Sequence, residues 1–372
     1  MGALGQSGLR LFRALVVGCC LPFLSACADI AYMGQSATGH LGLVWRARPL
    51  PELIEDASQP ERLRSQLSAA RDIRRFAVEQ LGLPDNRSYT RYVDTGQPYV
   101  VWNVMATDEL SLKLKGFCFP VLGCISYKGF YSEADAHALA AQLREQGLEV
   151  AVGGVPAYST LGWTPDPLLN TFVFYPRAEL ARLMFHELAH QQIYIADDTA
   201  FNESFATAVE EVGVELWLRA NGDEEQARLY REFDGRRKGF QQLLLQTRQG
   251  LKTLYDSDAS DEAKRAGKQR LFAQLRQRYE ALRDGQWKGY TGYDRFFQQD
   301  VNNARLAGMG LYSQWVPAFK SIYEQCQARF DCFYERVRLL GRMDRSAREQ
   351  SLSAYENPKL ASPVLLPDFI VR

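Results

Sequence analysis

The spacing of apolar residues along the chain changes character twice. From Pro51 to Leu83 (PELIEDASQPERLRSQLSAARDIRRFAVEQLGL) the pattern is helical with one polar face, and Gly82 and Pro84 close it. Five short segments then turn apolar, β-branched and aromatic: YTRYVD, YVVWNVMA, CISYKGFY, EVAVGG and TFVFY. They predict strands, with one helix, SEADAHALAAQLREQG, set among them. Past Asn202 the pattern is helical again. DEEQARLYREFDGRRKGFQQLLLQTRQGLKTLY and DEAKRAGKQRLFAQLRQRYEALRDG are long and charged, with apolar residues at helical spacing. They predict a hairpin of helices whose charge runs are solvated faces. YDRFFQQDVNNARLAGMGLYSQWVPAFKSIYEQC is a further, more apolar helical region. The class predicted is α+β: a small mixed sheet, then a mostly helical remainder.

Composition sharpens this picture in two ways. At 372 residues, with 46% apolar residues and a formal net charge of zero, the chain suits a folded protein of two domains or two lobes. Zero net charge gives no support to a nucleic-acid partner. The amino terminus stands apart from the fold. Arg10 and Arg13 precede an apolar stretch from Ala14 to Leu24, too short to span a membrane and suited to a signal-peptide core. Leu24-Ser25-Ala26-Cys27 resembles a bacterial lipobox, in which Cys27 is acylated and becomes the new terminus. A plain secretory signal with a chance cysteine is the other reading. Ala28, rather than aspartate, follows Cys27, which by resemblance to bacterial lipoproteins implies the periplasmic face of the outer membrane. The lipid would then anchor a protein that does not span the bilayer.

With Cys19 and Cys20 lost to the signal and Cys27 lipidated, Cys118, Cys124, Cys326 and Cys332 remain. An even number in an oxidising compartment reads as disulfides, and the repeated spacing favours local pairs, Cys118–Cys124 and Cys326–Cys332. The second pair needs a helix break near Phe330, where Asp331 could cap a new helix. Zinc binding by the four is weaker, because no Cys-x-x-Cys spacing occurs.

The chemistry concentrates in FHELAHQQIYIADDTAFNESFAT, residues 185–207 of a chain that holds four histidines. Tyr175-Pro176 closes a strand and opens a helix. On that helix His186 and His190 lie four apart, so both imidazoles project from one face and can share a Zn²⁺ ion. Glu187 can reach an activated water without ligating the metal. A catalytic zinc takes three protein ligands and one open position. After a turn through Ile195–Thr199, with Asp198 or Thr199 as cap, a second helix buries Phe201, Phe205, Val209, Val212 and Leu216. Glu203, Thr207 and Glu210 fall on a different face. Glu203 can therefore point back as third ligand, and Glu210 can steady a histidine N–H. His40 and His137 have no such neighbours and read as ordinary surface residues.

HELAH followed by FNESFATAVE resembles the gluzincin metallopeptidases, especially those of aminopeptidase-N type, although the connecting loop is shorter here. The resemblance implies a zincin-like fold, zinc ligands at His186, His190 and Glu203, a catalytic base at Glu187 and a supporting acid at Glu210. More broadly, VGGVPAYSTLGWTPDPLLNTF, the metal segment and NNARLAGMGLYSQWVPAF resemble a family of bacterial lipoproteins described as putative aminopeptidases. That likeness covers most of the chain after the signal. One departure stands out: the strand VGGVPAYST lacks the glutamate with which aminopeptidase-N-type enzymes hold a substrate amine. Asp166, Glu210 and Asp198 are the candidate replacements.

The expected division is a signal at 1–26, a tether at 27–45, a zincin-like region at 46–222 and a helical lobe at 223–372. The expected chemistry is zinc-assisted peptide hydrolysis, with Glu187 as proton carrier and a tyrosine stabilising the oxyanion. Tyr158 and Tyr312 lead Tyr290 and Tyr293 for that role; aromatic packing is the alternative for each. Three readings stay open: a zinc aminopeptidase on envelope peptides, a zinc endopeptidase on envelope proteins, and a non-catalytic lipoprotein that inherited a peptidase fold.

Overall fold

The structure is a computed structural model that describes residue 32 and residues 34–119, 123–221, 224–308 and 314–356. The signal, Cys27 and Tyr312 lie outside the described residues. No described helix is long and apolar enough to cross a membrane.

The chain opens with helix α1 over residues 34–46, where the sequence suggested a tether. It packs down through Leu43 and is followed by buried Ala47. Strand β1 (Arg48–Pro49), α2 (Leu50–Glu55) and α3 (Glu61–Glu79) follow. In α3, Leu63, Leu67, Ala70, Ile73 and Ala77 repeat at three- and four-residue intervals and are all buried, the amphipathic pattern expected of this segment.

Three small sheets come next, rather than one. β2 (Arg91–Val93) lies between β1, antiparallel, and β8 (Leu168–Leu169), parallel. β3 (Val101–Thr107) lies between β6 (Lys128–Phe130) and β7 (Glu149–Val155), antiparallel to both. β4 (Phe117–Phe119) and β5 (Gly123–Ile125) form a hairpin. Alternation along β3 buries Trp102, Val104 and Ala106 against Ala136, Ala140 and Leu143 of α4 (Glu133–Glu145), a core of its own.

TFVFY is not a strand. Asn170–Val173 forms the short helix α5, although its residues suit β structure. Tertiary contacts override the propensity: Phe172 and Val173 are buried in the main core, and Asn170 Oδ1 accepts from Thr95 N at 2.8 Å.

The main core forms around α6 (Arg177–Gln192) and α7 (Thr199–Asn221). Phe185, Phe201 and Phe205 are fully buried there, each contributing roughly 1.5–3 kcal/mol. The two helices approach closely at Gly213, where an added Cβ would fall 2.7 Å from Leu81 and 2.9 Å from Phe185.

The predicted hairpin is α8 (Glu224–Tyr255) and α9 (Asp261–Asp284), with a separate core around Phe240, Leu251 and Tyr279. α10 (Asp294–Gln298) and α11 (Asn303–Gly308) follow. The last helices, α12 (Val316–Gln325), α13 (Phe330–Gly341) and α14 (Arg345–Glu356), do not belong to a separate lobe. Phe319, Phe333 and Leu352 join the same core as α6 and α7.

The Cys326–Cys332 disulfide forms across a break between α12 and α13. Left-handed Gln327 and Ala328 make that break; Arg329 takes the N-cap position of α13 without a side-chain hydrogen bond, and Asp331 sits in the first turn instead of capping it. Cys118 is disulfide-bonded, and its register partner across the β4–β5 hairpin is Cys124.

Candidate metal centre

Pro176 is the N-cap of α6, with φ −49°. From there Arg182, His186 and His190 recur every four residues and share one face of the helix. The turn to α7 is held at both ends. Asp198 Oδ1 accepts from Phe201 N at 3.1 Å, so of the two expected candidates Asp198 is the cap. Asn202 bonds Ile195 through both its amide atoms, at 2.8 and 2.7 Å. From α14, Arg348 donates twice to Asp198 Oδ2, at 2.9 and 2.7 Å, a pair buried on both sides.

This turn fixes the register of α6 and α7. Glu203 meets the later histidines of α6, and Glu210 meets its earlier residues. The Nε2 atoms of His186 and His190 are 3.2 Å apart. Glu203 Oε2 is 3.3 Å from the first and Oε1 is 3.6 Å from the second. One ligand atom from each of the three residues lies within 4.8 Å of the others, so the cluster could hold a metal ion.

Glu210 Oε2 stands 2.9 Å from His186 Nδ1 but is poorly aligned for a hydrogen bond, so its pull on the ring is electrostatic. Glu210 is itself clamped. Arg182 Nη1 donates to both its oxygens, at 3.1 and 3.3 Å, and Arg237 of α8 reaches within 3.5 Å. Arg182 also bonds Glu179 Oε2 at 3.0 Å. The clamp was missed in the sequence, although Arg182 lies four residues before His186 and shares its face. His190 Nδ1 is buried and has no hydrogen-bond partner among the described residues.

The electrostatics are those of a cluster arranged around positive charge. Burial disfavours a charged His186, yet Glu203 and Glu210 outweigh it and raise the ring to about 10. Burial and the neighbouring His186 lower His190 to about 4. Burial pushes Glu187 up to about 7, where a carboxylate can exchange protons near neutrality. Burial also opposes ionisation of Glu210, but Arg182 and His186 prevail and hold it at about 2. A metal ion held by His186, His190 and Glu203 would displace the proton that His186 otherwise attracts.

His186, Glu203, Thr207 and Glu210 open on a cavity of about 620 Å³, bounded also by α8 and by Val316 and Pro317 at the start of α12. The three acids proposed for a substrate amine are all engaged. Asp166 is buried and accepts from Thr160 Oγ1 at 2.7 Å and Gln191 Nε2 at 2.9 Å. Asp198 caps α7, and Glu210 serves His186.

His40 is not an ordinary surface residue. Its Nδ1 bonds Tyr158 OH and its Nε2 bonds Thr164 Oγ1, both at 2.7 Å. Tyr158 OH also bonds Tyr131 OH at 2.8 Å, and Tyr158 is not among the residues lining the cavity. Tyr293 stacks on Phe240 with 4.2 Å between ring centroids, and Arg236 lies over Tyr290. His137 is exposed, 3.8 Å from Glu133.

Fold and site define an α+β protein built around two histidines and a glutamate that converge on one point, with the half-buried carboxylate of Glu187 next to His186 in the chain. A family model described as "Putative aminopeptidase" matches residues 31–352. The chain belongs to this family, whose description points to peptidase activity on peptide substrates. No curated protein and no solved structure matches the chain.

Proposed function

We propose that this chain is a zinc-dependent peptidase of the aminopeptidase kind, acting on peptides in the bacterial cell envelope. The observation that carries the reading is the convergence of His186, His190 and Glu203 next to Glu187. Two imidazoles and a carboxylate are donors that zinc accepts, and three protein ligands leave one position open. Bound there, zinc would lower the pKa of a water toward ~7 and polarise a peptide carbonyl.

The chain's own residues supply the rest. Glu187, half-buried and raised to about 7, takes a proton from the attacking water and passes it to the leaving amine. Glu210 attracts His186 from its Nδ1 side, which leaves Nε2 for the shared point, and Arg182 keeps Glu210 ionised. Placement in the envelope rests on Leu24-Ser25-Ala26-Cys27, with acyl chains on Cys27 tethering the protein to the periplasmic face of the outer membrane.

One observation favours a second reading, a zinc endopeptidase: Asp166, Asp198 and Glu210 are all enclosed, and none is free to receive a substrate amine. The test uses purified soluble protein with zinc against amino-acyl and N-blocked peptide reporters. Hydrolysis of the free-amine reporters alone supports the aminopeptidase. Cleavage of the blocked ones supports the endopeptidase. Inertness toward both, with zinc bound, overturns the proposal.

A further inference from the structure

The cavity beside the metal cluster carries a charge arrangement that peptide hydrolysis alone does not call for. About two turns along α7 from Glu203, Glu211 is shared by two lysines: Lys238 Nζ is 2.9 Å from Oε1 and Lys320 Nζ is 3.1 Å from Oε2. Arg237 comes within 3.8 Å of the same carboxylate. Lys238 also pairs with Asp234 at 2.9 Å.

Charges in this group nearly balance, but their exposure does not. The side chains of Glu210, Glu211 and Asp234 are 1%, 11% and 17% exposed, whereas those of Lys320 and Lys238 are 36% and 50% exposed. A ligand entering the cavity therefore meets ammonium groups with the carboxylates beneath them. The one acid here that is open to a similar degree is Glu203, at 32%, which is committed to the cluster. The first turn of the ten-residue α12 also faces the cavity through Val316 and Pro317, so the positive end of a helix dipole adds to the lysines. A substrate ammonium would be repelled at this wall; a carboxylate would gain two charge-assisted hydrogen bonds.

We propose that Lys238 and Lys320 form a carboxylate-binding subsite that selects peptides with an anionic group at the end remote from the metal cluster. The inference rests on the peptidase reading and refines it to a substrate class. A volume of about 620 Å³ falls within the range of small-ligand sites, which suits a short peptide. The carboxylate has two possible sources: the C-terminus of a short peptide, or an acidic side chain near the cut. Glu211, pinned between the lysines, orients both ammonium groups and keeps them apart.

Two peptide pairs separate the sources. Leu-Gly-Gly is compared with its C-terminal amide, and Leu-Glu-amide with Leu-Gln-amide. Each is assayed for hydrolysis by the zinc-loaded enzyme and for calorimetric binding to zinc-loaded Glu187→Gln. The anionic member of at least one pair should bind and react on the order of 10–100-fold better, the worth of charge-assisted contacts, mainly through KM. Added salt should shrink that ratio. Lys238→Gln with Lys320→Gln should bring it toward one, while Lys238→Arg with Lys320→Arg should retain most of it. Circular dichroism checks that both double variants fold.

Equal binding and turnover within both pairs would overturn the subsite, as would a preference that survives the glutamine variants. Selective binding without hydrolysis would sink the peptidase reading and leave the subsite standing. Hydrolysis without selectivity would do the reverse.

Discussion

The α6–α7 and α8–α9 hairpins both carry charged residues at helical spacing, and the fold uses those charges differently. On the outer face of α8, Arg228 reaches Glu225 and Glu232 at 2.6 Å, and Lys252 reaches Asp256 at 2.6 Å, with all five side chains 45–65% exposed. Such pairs contribute little, because water and salt screen them. In α6–α7 the charges point inward. Arg182, His186 and Glu210 form a chain of contacts near or below 3.1 Å, with Glu210 only 1% exposed. There, each group needs its partner. The same residue types are a solvated face in one hairpin and a candidate catalytic centre in the other. The difference lies in what the opposite helix presents.

Substitutions should expose that contrast in graded steps. The largest effect belongs to the ligands. His186→Ala and His190→Ala should lose zinc and activity together, well beyond the ~10–100-fold loss expected of a supporting residue. Glu203→Gln should weaken zinc binding, since a neutral amide is a poorer ligand than a carboxylate. Metal analysis beside peptide hydrolysis reads both; retained zinc in the alanine variants would break the comparison.

Next comes the clamp. Glu210→Ala should retain zinc at saturating metal and lose ~10–100-fold in activity, measured as kcat/KM at fixed zinc. Arg182→Met leaves buried Glu210 with only His186 and the more distant Arg237 as positive neighbours, and should cost on the order of 3 kcal/mol in a denaturant titration.

Smaller again is the Cys326–Cys332 disulfide, which closes a short loop. Replacing both cysteines by serine should lower stability by about 2 kcal/mol and leave zinc content unchanged. Unchanged unfolding would show that the α12–α13 turn holds without it. At the bottom of the scale, Arg228→Ala on the solvated face should alter neither the thermal midpoint nor activity. A large effect there would show that the two hairpins are less different than their exposure suggests.

The core of the site was legible because it is local. His186 and His190 need only the period of one helix, and Glu203 and Glu210 need one more helix and a short turn. A cap at Asp198 or Thr199 followed from the same local logic, and the structure gives the role to Asp198. What stayed illegible depends on distant chain. Arg237 reaches Glu210 from α8, and Arg348 reaches Asp198 from α14, contacts that no spacing encodes. His40 looked solitary because Tyr158 and Thr164 are more than a hundred residues away. TFVFY misled for a related reason: its β-forming residues are held helical by burial and by the Asn170–Thr95 bond. The return of α12–α14 to the main core is likewise a matter of tertiary packing, which helical periodicity alone does not reveal.

Glu187→Gln tests the central claim most directly. The change keeps the shape of the side chain and removes its capacity to carry a proton, while His186, His190 and Glu203 remain to bind metal. Zinc content and peptide hydrolysis are measured on one preparation of the variant beside wild type. The account expects about one zinc per chain in both proteins, with turnover lower in the variant by roughly 10²–10⁴-fold. Full turnover by Glu187→Gln, or an absence of zinc from both proteins after incubation with the metal, would contradict it.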